Sequence, residues 1–292
     1  MTDVKMKNLG RLALFMAAFL WGVSFVLMKN VLSSVPPLYI LAIRFCGAAI
    51  ILLPACAKKL GNIDREYLAG GILMGIALLP GYIFQTYGLT LTTPGKNAFL
   101  TSTYCIIVPF LYWAMIKKRP DRYNAAAAFI CIIGIGLISL DNDLSIGAGD
   151  ALTIACGFFY ALHIVITARF ITKRDPVLLA MLQFAAAGVL SLLGAAFFEA
   201  PPSGIPSADL WTLAFLTVVS TAGCLLMQVF GQKYSPPSQA AVIMTFESVF
   251  GALVSVILQY EVMTYRLTLG FALMFIAVII SETKLEILRK PG

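Results

Sequence analysis

At 292 residues, 60% hydrophobic and only 12% charged, the chain lacks the polar residues needed to cover a water-facing globule, where roughly 25% charged residues is usual. Its mean hydropathy is +0.90, and its charges cluster between apolar runs of about twenty residues, enough for a helix to cross ~30 Å of hydrocarbon with its own backbone groups satisfied. The formal charge of +7 comes without a basic stripe interleaved with exposed aromatics, which argues against nucleic acid as a partner and for basic loops on one side of a bilayer.

In chain order, the apolar windows predict spans over 9–31, 37–57, 67–89, 94–116 and 122–140, then 149–172, 176–199, 206–232, 236–259 and 263–285. Turn chemistry separates them: Ser33-Ser34-Val35-Pro36-Pro37, Thr92-Thr93-Pro94-Gly95, Ala200-Pro201-Pro202-Ser203-Gly204 and Ser235-Pro236-Pro237, all rich in residues that stop or start helices. The expected fold is an all-α integral membrane protein of ten transmembrane helices, with connections too short for a soluble domain. Lys5, Lys7 and Arg11 precede the first run, but no small-residue cleavage site follows it, so the run is expected to be a retained span rather than a signal peptide. Cys46, Cys56, Cys105, Cys131, Cys156 and Cys224 all fall in or beside apolar runs with no CxxC or Cys/His spacing. They read as buried small hydrophobes, with neither a disulfide framework nor a metal site expected.

Lys and Arg set the orientation. Lys5, Lys7, Arg11, Lys58, Lys59, Arg65, Lys117, Lys118, Arg119, Arg122, Arg169, Lys173, Arg174, Lys233, Lys284, Arg289 and Lys290 fall on one face, 17 of the 21 basic residues. The other face holds Lys29, Lys96 and Arg266, and Arg44 lies within a span. Both termini are therefore expected in the cytoplasm, with the protein multi-pass in the inner (plasma) membrane.

Five spans per half is an odd number, so two related halves, 1–142 and 143–292, would lie in opposite orientations. At an offset of 139, Phe19-Leu20-Trp21 falls on Phe158-Phe159-Tyr160, Pro37 on Pro176, Arg44 on Gln183 and Phe45 on Phe184. At an offset of 143, Gln85 falls on Gln228, Gly88 on Gly231 and Pro94 on Pro237. Inverted repeats of five helices are the architecture of carriers that rock around a midplane site. The paired interruptions at Pro80-Gly81 and Gly223-Cys224, each followed by a glutamine, are expected to break two helices beside that site.

Several stretches also resemble the EamA-type transporters of the drug/metabolite transporter superfamily, over essentially the whole chain. They are Trp21-Gly22-Val23-Ser24-Phe25, Leu41-Ala42-Ile43-Arg44-Phe45, Tyr87-Gly88-Leu89 with Thr92-Thr93-Pro94-Gly95-Lys96-Asn97-Ala98-Phe99-Leu100-Thr101, and Gln232-Lys233-Tyr234-Ser235-Pro236-Pro237 through Thr245-Phe246-Glu247-Ser248-Val249-Phe250. Ser248 stands where the family usually has proline, and Gln259-Tyr260-Glu261 stands near the usual Gly-Glu pair. The resemblance implies a two-repeat carrier with a central cavity that moves amino acids, other metabolites or drugs, often outward.

Of the acidic residues only Glu247 lies deep in a span, ten residues past Pro237 and so about 15 Å in. Such a carboxyl is either a coupling-proton carrier or a hydrogen-bond donor between helices. His163, the single histidine, is a cavity candidate or a structural bond, and it aligns with Ser24. Arg44 could snorkel outward, anchor a substrate carboxylate or pair with Glu247. Lys96 and Asn97 open the fourth span, where a helix N-terminus and a cation suit an anion. Trp21, Tyr82, Tyr104 and Tyr160, with Gln85, Gln183 and Gln228, complete the candidate cavity lining. Trp113, Tyr123 and Trp211 suit the interfacial belt, and Gly71, Gly75 and Ala185 to Gly188 suit close helix packing.

The leading expectation is a secondary carrier of small metabolites working by alternating access, with the bilayer and a small solute as its partners, no cofactor, and helices enough to act as a monomer. An intramembrane enzyme using His163 and Glu247 on a lipid-like substrate is the alternative. It lacks a metal-spacing motif, a nucleophile elbow and a catalytic loop. A channel would show rings of like charge or a carbonyl filter, and no P-loop supports direct ATP drive.

Overall fold

A computed structural model describes residues 2–117, 122–139 and 146–283. Lys118, Arg119, Lys284, Arg289 and Lys290 of the charge argument, and the expected boundary between halves at 142/143, lie outside the described residues. The helices among them are α1 (Thr2–Val31), α2 (Pro37–Cys56), α3 (Arg65–Leu91), α4 (Pro94–Thr101), α5 (Tyr104–Ile116), α6 (Arg122–Ser139), α7 (Ala148–Ile171), α8 (Pro176–Phe198), α9 (Ser207–Phe215), α10 (Cys224–Tyr234), α11 (Pro237–Ile257) and α12 (Tyr265–Thr283). A 3₁₀ turn, Ala57–Asn62, follows α2, and a π-helical stretch, Leu216–Gly223, joins α9 to α10.

Prolines at the first helical position open α2, α4, α8 and α11, where the missing N–H costs nothing and φ is already helical. The Asp64 carboxylate accepts from the Tyr67 N–H to cap α3, and Asp175 accepts from the Val177 and Leu178 N–H groups to cap α8. Among the described residues, eight helical stretches are long and apolar enough to cross a membrane, and two shorter apolar helices, Ala126–Ile138 and Tyr265–Ala277, accompany them. The outward faces carry exposed Ile50, Phe129, Val189, Phe197 and Phe198, a surface that water would not tolerate as a continuous belt and that lipid solvates. The chain is a multi-pass membrane protein.

Two expected spans are divided. The run at 94–116 turns at Ser102 and Thr103, whose hydroxyls donate to the Ala98 and Leu100 carbonyls and so compete with the helix's own ladder. The run at 206–232 passes through the π-helical stretch. Pro80 does not break α3, which stays continuous from Arg65 to Leu91. The expected pair of interruptions is therefore one-sided, present beside Gly223 and absent beside Pro80. Gly81 instead gives room: a Cβ there would lie 2.7 Å from the Tyr160 ring.

Small residues bring the helices together. A Cβ on Gly71 would lie 2.3 Å from Leu182 Cβ, one on Gly75 2.8 Å from Ala186 Cβ, and one on Gly188 2.8 Å from Cys46 Sγ. These contacts seat α8 on α3 and α2, the packing role expected of those positions. Gly10 of α1 packs on Gly231 of α10, Gly88 of α3 on Gly149 of α7, and Gly134 of α6 on Gly270 of α12.

We call the end where α1 begins the near end and the end where it finishes the far end. At the near end, Lys59 pairs with Asp175 at 2.7 Å. Arg174 pairs with Asp64 at 2.6 Å and with Glu66, and lies over the Tyr67 ring. Lys233 donates to the Arg174 carbonyl at 3.0 Å.

Candidate functional site

A cavity lies inside the bundle, and the empty space in and around it, open solvent included, is about 650 Å³. Of the residues singled out in the sequence, Trp21, Ser24, Arg44, Tyr82, Gln85, Tyr104, Tyr160, His163, Gln228 and Glu247 line it. Phe25, Met28, Leu78, Thr86, Leu89, Ile164, Leu225 and Met244 also line it. Periodicity could have found Phe25 and Met28, since both lie one helical turn from Trp21 or Ser24. Nothing distinguishes the Leu residues from any other apolar position.

Its walls combine aromatic rings with a few fixed polar groups. Tyr82 packs edge-on against Phe45 and Tyr160, with ring centres 5.0 and 5.5 Å away. The Tyr160 hydroxyl donates to Gln85 Oε1 at 2.8 Å, and Gln85 Nε2 donates to Thr101 Oγ1 at 3.1 Å. The π-helical stretch has a specific part here: Trp21 Nε1 donates to the Ser220 carbonyl at 2.8 Å. A widened helix turn exposes such a carbonyl, and the indole satisfies it.

Arg44 is 4% exposed, which rules out snorkelling to the surface. Its Nε donates to Thr221 Oγ1 at 2.8 Å, Nη2 to Ser220 Oγ at 3.4 Å and Nη1 lies 3.8 Å from Met28 Sδ. The guanidinium sits 5.0 Å from the centre of the Tyr82 ring, a cation–π contact. Glu247 is bonded instead to Tyr104, whose hydroxyl donates to its Oε1 at 3.0 Å. Of the roles the sequence left open for Arg44, the pair with Glu247 is thus not formed. Each buried ionisable group is already held by neutral protein groups, leaving the guanidinium and the carboxyl apart in one cavity.

His163 is 1% exposed and meets Gln183 Oε1 through Nε2 at 2.9 Å. Gln183 is fully buried and lies behind His163 rather than on the cavity wall. Lys96 and Asn97 also stand outside the cavity. Lys96 reaches Asp150 at 3.5 Å, and Asn97 Nδ2 donates to the Gln85 carbonyl at 3.2 Å and to Thr153 Oγ1 at 2.8 Å. The first turn of α4, read from the sequence as a place for an anion, is taken by the chain's own Glu261. Its Oε1 accepts from Thr93 Oγ1 at 2.5 Å.

Residues 139 or 143 apart meet around this one space. Trp21 and Tyr160, Ser24 and His163, Phe25 and Ile164, Tyr82 and Leu225, Gln85 and Gln228, and Tyr104 and Glu247 all line it.

Against known proteins, a family model described as "EamA-like transporter family" matches residues 8–140 and again 147–283. A protein of Archaeoglobus fulgidus named "Uncharacterized transporter" is 30% identical over 269 residues, spanning 92% of this chain and 84% of its own. "Uncharacterized transporter YoaV" of Bacillus subtilis is 22% identical over 267 residues, 89% of this chain and 91% of its own. A solved structure described as "Crystal structure of protein" superimposes with a TM-score of 0.72 over 96% of this chain and 99% of that one, at 17% identity, which speaks to fold alone. With a family model covering both halves, and relatives named as transporters along nearly its full length, the chain belongs to the EamA-like transporter family.

Proposed function

We propose that the protein is a secondary carrier that moves small zwitterionic metabolites, amino acids or close relatives, outward across the inner (plasma) membrane by alternating access. The observation that carries this reading is the unpaired separation of Arg44 and Glu247 in one cavity. A fixed guanidinium suits a carboxylate, a carboxylate suits an ammonium, and the aromatic wall suits an apolar side chain between them. A solute bearing both charges satisfies both groups at once, whereas an uncharged solute leaves each unmatched. Glu247 is also the proton-coupling candidate, since an acid in a membrane interior that can exchange a proton for the ammonium end of a solute links the two fluxes.

Ten spans in two inverted halves, 1–142 and 143–292, provide the frame. Three things support it: the same family model matches twice, residues at the two constant offsets converge on one cavity, and Gly10–Gly231 and Gly88–Gly149 repeat one packing contact at opposite ends. Rocking of one half on the other would expose the cavity to each side in turn. Cytoplasmic termini follow from the basic face, and one chain holding both halves suffices as a monomer.

Reconstitution into liposomes with a panel of labelled amino acids, with and without a pH gradient, tests this. Saturable uptake of one or more of them, responsive to the gradient, is expected. Product formation from lipid would favour the enzyme, and unsaturable conductance a channel; either result sinks the carrier reading.

A further inference from the structure

The cavity is not centred between the two ends. Towards the near end it stops at Ile164, Gln228 and Met244, six or seven residues short of the ends of their helices, or about 10 Å of packed protein. Towards the far end it reaches Met28 and Leu89, three and two residues from the last residues of α1 and α3, leaving roughly 3–5 Å. Met28 and Leu89 pack there against Val31, Val35, Ile40, Leu213 and Leu216, and the α3–α4 turn, Thr92-Thr93-Pro94-Gly95-Lys96, follows α3 directly at this end.

This turn is gripped from two directions by carboxylates of the other half of the chain. Thr92 Oγ1 donates to Asp150 Oδ1 at 2.5 Å, and Lys96 approaches Asp150 Oδ2 at 3.5 Å. Thr93 Oγ1 donates to Glu261 Oε1 at 2.5 Å. The other Glu261 oxygen lies against Gly95 so closely that a Cβ there would be 1.8 Å from it. The glycine is needed for this approach, because any side chain would evict the carboxylate. Glu261 is aimed inward by a folded connection after α11: Gln259 takes φ 61°, a left-handed conformation uncommon outside glycine. Tyr260 N–H then returns to the Ser255 carbonyl at 2.9 Å, and the Tyr260 hydroxyl bonds Asn30 at the end of α1. Lys29 ties α1 to the same turn from below, donating to the carbonyls of Leu89, Thr90 and Thr92 at 2.6, 3.1 and 2.9 Å.

We propose that the α3–α4 turn is a latch on the far mouth of the cavity, fastened by Asp150 and by Glu261 seated in the Gly95 notch, and that its release opens the cavity to that side. Each fastening runs between the turn and either α7 or the α11–α12 connection, so separating these elements breaks both. Among the described residues the cavity comes no nearer than six residues to the near ends of α7, α10 and α11. The proposal rests on the cavity being the transport site, but the latch can be read without measuring transport.

The test uses the full chain in lipid nanodiscs with a Ser24→Cys reporter in the cavity wall, read by mass spectrometry as the rate of modification at residue 24 by a small charged thiol reagent. Gly95→Ala, Glu261→Gln and Thr93→Val each attack the notch differently, so one that misfolds leaves two. An acceleration on the order of tenfold, typical of a shifted two-state equilibrium, is expected in the folded variants. No acceleration is expected with Gly147→Ala, also at the far end, where a Cβ meets nothing within 4 Å. Unchanged rates in the folded latch variants, or an equal rise in Gly147→Ala, would overturn the latch. Faster modification without any movement of solute in the liposome assay upholds the latch and rejects the transport reading.

Discussion

Replacing Arg44 with methionine separates a substrate-binding cation from a structural one, because the two roles predict effects of opposite sign. The guanidinium lies seven residues into α2, at 4% exposure, with hydrogen bonds of 2.8 and 3.4 Å, a 3.8 Å contact to Met28 Sδ and, among the described residues, no carboxylate partner. A cation inside a membrane costs about 2.5–3.5 kcal/mol on insertion scales. The good hydrogen bond returns about 1.5–3 kcal/mol as a charge-assisted contact, and the Tyr82 face ~1–2 kcal/mol. The sum for folding is near zero, so Arg44→Met should leave the melting temperature of the solute-free protein unchanged within a few degrees. Binding is another matter. Removing the cation leaves a bound carboxylate unpaired, at about 2–5 kcal/mol, or roughly 30- to several-thousand-fold in Kd. Nano-scale thermal unfolding with and without the transported solute reads both quantities in one sample. A variant that melts much earlier yet still binds with unchanged affinity would refute the reasoning and make Arg44 a brace for the π-helical stretch.

Three further outcomes follow from the geometry. Glu247→Gln keeps an acceptor for Tyr104 but removes the charge, so it should fold normally while losing pH-gradient-driven flux in liposomes; undiminished coupling would dismiss Glu247 as the proton carrier. Gly71→Ala drives a methyl into Leu182 Cβ and should cost about 1–3 kcal/mol by overpacking, seen as earlier unfolding, whereas Gly61→Ala, with open space around it, should be neutral. At the near end, the Arg174 guanidinium, followed by the Tyr67 N–H, holds the Asp64 carboxyl below its ordinary value of 3.8. An acid whose native value is depressed stabilises the fold above its unfolded value and loses that contribution as pH falls through the native one. Asp64→Asn keeps the helix cap but not the charge. Its deficit in melting temperature should be present at neutral pH, begin to shrink as pH drops below about 3.8 and vanish once pH is below the native value, and a deficit that does not shrink across that range would contradict the assignment.

Much of the helical layout was legible because lipid leaves little choice: long apolar runs must be helices, and Pro-rich turns must end them. Pro37, Pro94 and Pro176 start helices at the residue where the sequence placed them, and Pro237 starts one a residue after the expected 236. The two divided spans were not legible, since three consecutive hydroxyls at Thr101-Ser102-Thr103 and a widened turn before Cys224 act through backbone bonds that apolar periodicity does not register. Pro80 misled in the other direction, because a neighbour-supported helix absorbs one lost bond. Around the cavity, residue type was a good guide for buried Arg44, His163 and Glu247, whose presence in apolar runs is itself costly. It failed for Gln183, Lys96 and Asn97. What sets their positions is rotation about the helix axis and partners in the other half of the chain, Asp150 and Glu261 among them, which no local pattern reveals.

Tyr104 and Glu247 stand 143 residues apart, touch each other, and differ chemically. At this contact between the two halves across the cavity, one offers a phenol and the other an acid. A binding site built on matching halves could accept its cargo in either of two orientations and gain nothing from choosing. Here the halves are unequal at this contact, so on the proposed carrier reading a solute with a charged end has one preferred heading, set by the acid. On that reading the polarity of the cargo is a property of a single atom pair rather than of the whole bundle.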